Sequence, residues 1–357
     1  MKVCLYSPYV PEHFGGGEKH LFDVALEFAK KNDVSIALPP DASCDAVKSA
    51  YAAFMNQNLD SISFIHSPLF FGNAVRKLLW TRLFDYLYYV TDGSLFFTAA
   101  KKNNLHIQVP LQLDKSSLLE RLKLWNWGIK NTNSQFTKSV IEASWNTKIT
   151  TVLYPKVEIP KKLPKDREKI ILHVGRFFRQ LHTKRQDVLV DIFISLRERH
   201  PQRTRGWKLV LIGQVEDQSY FDELQKKATG HPIEFIPNAS HQKLSELYKK
   251  AQIYWHATGY GVDETTYPEK VEHFGITTAE AMAHGLVPIV LGKGGQPEVI
   301  GSLGPELLWN TKEQCLAITA ELLKDTKKRS EISTQARQEA HRFSPEVFSK
   351  TVEQMVK

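Results

Sequence analysis

Cysteine is scarce in this chain of 357 residues: the three present, Cys4, Cys44 and Cys315, lie far apart. They form neither a metal-type spacing nor a disulfide framework, which points to a reducing compartment. No run approaches the ~20 apolar residues that a membrane span needs. The sequence opens Met-Lys and passes directly into a short apolar stretch, so no secretory signal is expected. The early glycine run, Gly15-Gly16-Gly17, does not fit the dinucleotide fingerprint, and no matching acidic residue ends the next apolar stretch. There is no internal repeat, no low-complexity tract and no nucleic-acid recognition motif, and the basic residues are scattered, which argues against a nucleic-acid partner.

What is present is the composition of a globular protein, 42% hydrophobic and 24% charged, at a length that suits two domains. The net charge of +8 fits anionic small substrates or an anionic membrane surface. Strand and helix patterns alternate, as in α/β layers. Strands are expected at residues 2–6, 34–38, 62–65, 105–111 and 152–155, with another ending in the polar turn Thr91-Asp92-Gly93-Ser94. Arg76 to Tyr89 mixes cations with leucines and aromatics and suits an amphipathic helix, either on a membrane interface or facing a core. Ser134 is expected to cap the helix that follows it. The proline- and charge-rich residues 155–169 read as a linker. Beyond it, strands are expected at 170–174, 207–212, 233–236, 253–257 and 287–291.

The second half carries the chemistry. Glu272 to Leu291 reads as loop, helix, turn and buried strand. Gly275 can lie against a ligand because it has no Cβ. The helix start after it offers free N–H groups and a positive dipole end, which suit a diphosphate. Glu272 and Glu280 could then grip sugar hydroxyls on either side. Arg176 and Lys184 share the loop after strand 170–174 and can pair with a diphosphate from two directions. Thr258 to Lys270, just before Glu272, is expected to order around a bound ligand.

Glu272 and Glu280 in E-x7-E register, with Phe274-Gly275, Glu280-Ala-Met282 and Gly285-Leu-Val-Pro288, resemble the signature of glycosyltransferase family 4. Those are retaining enzymes that use nucleotide sugars. The resemblance implies an α/β GT-B fold, with two Rossmann-like domains facing across a cleft. Residues 1–157 would be the acceptor domain, joined by a C-terminal crossover helix at 343–357, and 158–342 the nucleotide-sugar domain. It implies that Arg176 and Lys184 stabilise the leaving phosphate, that Glu272 holds the donor sugar and that Glu280 holds the ribose. Phe274, Gly275, Ile276 and Thr277 would line the donor, with Gly213 and Asn238 near the nucleobase. The run Gly15-Gly16-Gly17-Glu18 resembles the family's Gly-Gly-x-Glu opening, which makes Gly16, Gly17 and Glu18 candidates for the donor–acceptor cleft. Many relatives place a histidine where this chain has Thr91 and Asp92, so Asp92 is the candidate for that position.

With no Asp-x-Asp triplet, no metal is expected on the diphosphate, and the nucleotide sugar is substrate rather than cofactor. The run His273-Phe-Gly-Ile276 is similar to mannosyltransferase members, which leans toward a GDP-mannose donor. The acceptor would be a hydroxyl of a glycan or lipid-linked glycan in envelope polysaccharide or glycoconjugate synthesis. A cytoplasmic setting follows, with peripheral contact on the inner face of the membrane. Two rivals stay open: another GT-B enzyme, such as a sugar-nucleotide epimerase or glycan phosphorylase, and a non-catalytic nucleotide-sugar-binding partner.

Overall fold

Apolar strands alternating with helices build two α/β units, Met1–Lys156 with Glu346–Lys357 and Val157–Pro345. The structure, a computed structural model, describes residues 1–10, 12, 14–164, 166–180 and 183–356. Pro11 and His13 of the first glycine loop, Lys165 of the expected linker, Leu181 and His182 of the Arg176–Lys184 loop, and Lys357 of the expected crossover helix lie outside the described residues.

Unit one runs β1 (Lys2–Tyr6), α1 (Gly16–Ala29), β2 (Asp33–Leu38), α2 (Cys44–Met55), β3 (Ile62–His66), α3 (Ala74–Thr81), β4 (Tyr86–Thr91), β5 (Lys102–Ile107), α4 (Leu118–Asn126), β6 (Ile129–Thr132), α5 (Gln135–Trp145) and β7 (Thr151–Val152). Its strands are all parallel, in the order β3-β2-β1-β4-β5-β6-β7. A parallel sheet is covered on both faces, so its central strand is withdrawn from water along its length; all six residues of β4 are buried. One core cluster joins Val3, Leu5, Phe22, Val34 and Tyr88. Another joins Cys4, Tyr6, Leu87, Tyr89, Trp127 and Trp145. Ser134 caps α5, accepting from Thr137 N at 3.0 Å. The three cysteines are free. No helix among the described residues is long and apolar enough to cross a membrane.

The amphipathic helix expected from Arg76 to Tyr89 is corrected. Helix α3 stops at Thr81, and Tyr86 opens β4, which pairs with β1 through Tyr86↔Val3 and with β5 through Tyr86↔Lys102. The β-branched and aromatic run Tyr-Leu-Tyr-Tyr-Val-Thr takes the central strand, and pairing on both edges outweighs the helical spacing of its leucines. Similarly, β5 ends at Ile107 rather than Leu111, before Pro110.

Unit two runs β8 (Ile170–Val174), α6 (Gln186–Arg199), β9 (Lys208–Gly213), α7 (Gln218–Ala228), β10 (Ile233–Pro237), α8 (His241–Lys250), β11 (Ile253–His256), α9 (Ile276–Ala283), β12 (Val287–Leu291), α10 (Gln296–Ile300), β13 (Leu308–Trp309), α11 (Lys312–Lys324) and α12 (Thr326–Ala340). Its parallel sheet has the order β10-β9-β8-β11-β12-β13. The chain winds outward from β8 to β10, then returns to the other side of β8 at β11. The same reversal falls between β1 and β4 in unit one. Such reversals open a crevice at the carboxyl ends of the strands.

The last helix, α13 (Pro345–Val356), belongs to unit one, where Phe348, Val352 and Met355 join the first core cluster. Met355 Sδ accepts from Asn131 Nδ2 at 3.1 Å. Beneath it, His20 and His106 stack with ring centroids 4.4 Å apart. His20 Nε2 lies 3.3 Å from the Tyr88 hydroxyl, and His106 Nδ1 lies 2.7 Å from Asn131 Oδ1. Burial, with a smaller push from Lys19, lowers the His20 pKa to about 3. Burial and His20 hold His106 well below its ordinary value, against the opposing bond to Asn131.

Both rings are therefore neutral in the fold, while the unfolded chain takes up protons below about pH 6.5. Stability is fully present above that pH and falls as pH drops below it, by about 1.4 kcal/mol per pH unit for each histidine until its folded pKa is reached. The thermal midpoint should fall between pH 7 and pH 5, and His20→Phe should make that fall shallower. Equal slopes in the two proteins would refute the assignment.

Candidate active site

The carboxyl ends of β8, β9, β10, β11 and β12 bring the polar residues of unit two to one edge. At the ends of β8 and β9 the backbones touch: a Cβ on Gly213 would sit 2.0 Å from the Gly175 carbonyl oxygen. Gly213 thus lets two strand ends close together. Beside it is a cavity of about 380 Å³ lined by Val174, Ile212, Gly213, Asn238, Ala239 and Leu244. Asn238 has φ +51°, and its Oδ1 accepts from Val215 N at 3.0 Å, which fixes the loop at the cavity's rim.

The charged centre lies at the reversal between β8 and β11. Lys184 Nζ donates to Glu272 Oε2 at 2.7 Å. The same oxygen is 3.0 Å from His256 Nε2, and the Thr258 hydroxyl is 3.1 Å from that nitrogen. Burial alone would push the Glu272 pKa up; Lys184 and His256 outweigh it and hold the carboxylate well below its usual range. Burial lowers the pKa of His256, with Glu272 pulling partly back. The result is an anion held between an ammonium and a neutral imidazole. His256 Nδ1 is buried with no partner among the described residues. Arg176 stands apart from this centre and pairs with Glu216 at 3.0 Å, its side chain 47% exposed.

Helix α9 begins where Gly275 turns the chain with φ +109°. A Cβ there would lie 2.4 Å from Gln296 Nε2. That Gln296 is fully buried, and among the described residues neither its amide nitrogen nor its amide oxygen has a partner. Thr277 Oγ1 is 2.7 Å from the Tyr254 hydroxyl, and Ile276 is half-buried at the first position of the helix. Phe274 turns its ring inward, 2% exposed and edge-on to Phe343, so what it presents to a ligand is backbone. Glu280 is held separately from Glu272, accepting from the Tyr248 hydroxyl at 3.1 Å.

Thr258 to Lys270, expected to order around a bound ligand, is already held by protein groups. Arg185 Nη1 donates to Tyr260 O at 2.6 Å, Glu264 Oε2 accepts from Gly294 N at 2.6 Å, and Lys293 Nζ donates to Val262 O.

In unit one, Gly16 and Gly17 form the first turn of α1, and a Cβ on Gly17 would meet Gln108 Oε1 at 2.5 Å. Glu18 folds back onto its own helix start, accepting from Gly15 N at 3.0 Å. Asp92 follows β4, exposed, its Oδ1 accepting from Ser94 N at 2.9 Å and from Ser94 Oγ at 2.6 Å. Burial pushes its carboxyl up, but hydrogen bonds from Ser94 and Tyr89 hold it below the usual value. Gly16, Gly17 and Asp92 thus border unit one's own reversal, between β1 and β4.

The structure joins Lys184 to Glu272 and leaves Arg176, Glu280 and Asp92 each with partners of their own. Sequence reading missed His256, Gln296, Glu216 and Tyr248. His256 could have been found, since it lies one residue from the end of the expected strand 253–257 and a strand end is where ligands meet a parallel sheet. Gln296 carried no local signal. Among the described residues no group of three or more His, Cys, Asp or Glu is placed to hold a metal ion.

Two parallel-sheet Rossmann-like units in one chain, with the last helix returned to the first, define the GT-B class. The solved structures that resemble this chain are of that class. They include a glycosyltransferase from Rickettsia africae, with TM-score 0.73 and 16% identity over 100% of this chain and 98% of that one. Another is Anabaena Alr3699/HepE in complex with UDP and glucose, with TM-score 0.68 and 17% identity over 99% and 98%. The chain belongs to the glycosyl transferases group 1 family, whose family model matches residues 156–339. Among curated relatives, the GDP-Man:Man(3)GlcNAc(2)-PP-Dol alpha-1,2-mannosyltransferase of Dictyostelium discoideum is 25% identical over 214 residues, covering 56% of this chain and 40% of that protein. The chain spans less than half the length of the curated relatives it matches.

Gly275→Ala should cost about 1–3 kcal/mol, since an L-residue is strained at this φ and its Cβ strikes Gln296. Urea unfolding measures it, and an unchanged midpoint would show that the turn relaxes freely.

Proposed function

We propose that the protein transfers a sugar from a nucleoside-diphosphate sugar to a hydroxyl of a glycan or lipid-linked glycan, with retention of anomeric configuration and without a metal ion. The observation that carries this reading is the Lys184–Glu272 pair, 2.7 Å apart at the strand reversal of unit two. A cation and an anion so placed serve the two ends of one bond: phosphate oxygens on one side, sugar hydroxyls on the other. Family membership and the E-x7-E register support it.

In this reading the nucleobase enters the cavity beside Gly213 and Asn238, and Glu280 receives the ribose. The diphosphate lies over the start of α9, where helix amides point outward. The backbone at Phe274, Gly275, Ile276 and Thr277 borders the donor, and the buried Gln296 amide supplies a further polar contact. Lys184 exchanges Glu272 for phosphate oxygens, and Arg176 joins it from the same loop. Glu272, still held by His256, turns to the sugar hydroxyls. The bond between the anomeric carbon and the phosphate oxygen breaks with its electron pair going to the phosphate, where the two cations stabilise the growing charge. The acceptor oxygen bonds to the anomeric carbon from the same face, and its proton passes to the departing phosphate. Asp92 contacts donor-sugar or acceptor hydroxyls, with Gly16 and Gly17 in the first turn of α1 bordering the same reversal.

The His273-Phe-Gly-Ile276 run and the GDP-mannose named for the Dictyostelium relative support a GDP-mannose donor. A cytoplasmic setting with peripheral membrane contact belongs to the same reading.

A thermal-shift panel of UDP, GDP, ADP and their sugar conjugates, with and without EDTA, tests the donor site, because a ligand of the folded state raises the midpoint. GDP and GDP-mannose should raise it, unaffected by EDTA. A shift with another base would replace the donor, and no shift with any would overturn the site. In turnover assays, Arg176→Ala and Lys184→Ala should each lower kcat by about 10²–10³-fold. Unchanged turnover in either would remove that residue from the phosphate.

A further inference from the structure

Fourteen large apolar side chains are exposed among the described residues, and ten of them fall within 71–83 and 113–125. Phe71, Val75, Leu79 and Leu83 recur every fourth residue along and around α3, from 62% to 78% exposed. Leu118, Leu122 and Trp125 repeat the helical spacing on α4, where Trp125 reaches 84% exposure. A surface helix ordinarily turns its apolar stripe inward. Helix α3 does the reverse and fully buries only Thr81.

The two stripes lie on one side of unit one's sheet and are tied through a single segment. Ala99 N donates to Thr81 Oγ1 at 3.0 Å at the end of α3, and Thr98 N donates to Asn126 Oδ1 at 2.8 Å at the end of α4. Trp80 of α3 and Leu124 of α4 pack on the same core cluster.

Charge selects the occupant. Residues 71–83 contain Arg76, Lys77 and Arg82 and no carboxylate. On α4 the carboxylate of Glu120 is neutralised by Lys115 at 2.8 Å and Lys123 at 2.7 Å. Arg76, Arg82 and Arg121 have no ion pair among the described residues. A second copy of the face would set cations against cations. We propose that the outward sides of α3 and α4 dock on an anionic lipid surface. Leucines, Phe71 and the Trp125 indole enter the boundary between headgroups and acyl chains, while the arginines pair with headgroup phosphates. This deepens the membrane contact of the proposed function by naming its surface, and it does not depend on the donor site.

Co-sedimentation of the full chain with phosphatidylcholine vesicles, with or without phosphatidylglycerol, tests it. Binding should be at least about tenfold stronger to the anionic vesicles and should weaken with salt. Arg76→Gln, Arg82→Gln and Arg121→Gln together should lower it about a hundredfold, at about fivefold for each cation. Leu79→Ser with Leu83→Ser and Trp125→Ser should abolish it. Both variants should keep the wild-type unfolding midpoint, a readout separate from nucleotide binding, so that failure here and failure of the donor site remain distinguishable. Absence of vesicle binding, or equal binding to neutral and anionic vesicles, would overturn the proposal. So would a dimer in sedimentation velocity without lipid that the serine variant dissolves.

Discussion

A parallel sheet covered on both faces leaves its strand ends as the place where polar chemistry meets water, and most of what this chain does with its polar residues follows from that. Parallel pairing aligns the carboxyl ends of β8 to β12, so residues distant in sequence arrive at one edge. The reversal between β8 and β11 decides which of them meet. It sets the loop after β8, with Lys184, beside the end of β11, with His256, and Glu272 arrives from the segment that leads into α9. Unit one has the same reversal, bordered by the glycine turn of α1 on one side and by Asp92 on the other.

The electrostatics of the edge follow from its partial burial. A carboxylate withdrawn from water is costly unless it is paired. Glu272 meets that cost with Lys184 and with the His256 ring, which burial keeps neutral. A neutral imidazole can hold the carboxylate in place without competing with the ammonium as a second cation. Glu280 solves the same problem differently, through the Tyr248 hydroxyl, whose pKa burial and Glu280 together raise. The two glutamates of one motif thus sit in distinct environments, one charged and one hydroxylic, as befits groups that would meet different parts of a ligand.

Much of this was legible in the chain because the signals are local. The alternation of strands and helices, Gly275 before a short helix, the cap at Ser134 and the strand ends all lie within a few residues of what they determine. The partners were not. Lys184 and Glu272 are 88 residues apart, and Arg185 holds Tyr260 across 75; such pairings depend on sheet order, which no local pattern encodes. The same is true of Gln296, whose place against Gly275 is set by the turn after β12. Residues 76–89 misled for a different reason: leucines at helical spacing ran on into a strand, and what stopped the helix at Thr81 was the pairing of Tyr86 on both sides.

Helix α13 also bears on the order in which the protein can be made. The core of unit one contains Phe348, Val352 and Met355, while nearly all its other members come from the first 156 residues. A ribosome delivers the amino end first, yet that half cannot close its core until residue 355 has emerged. Unit two, with its sheet complete at Trp309, has every strand available earlier. The half that is synthesised second can therefore be finished first, and throughout translation unit one must wait with one side of its core uncovered.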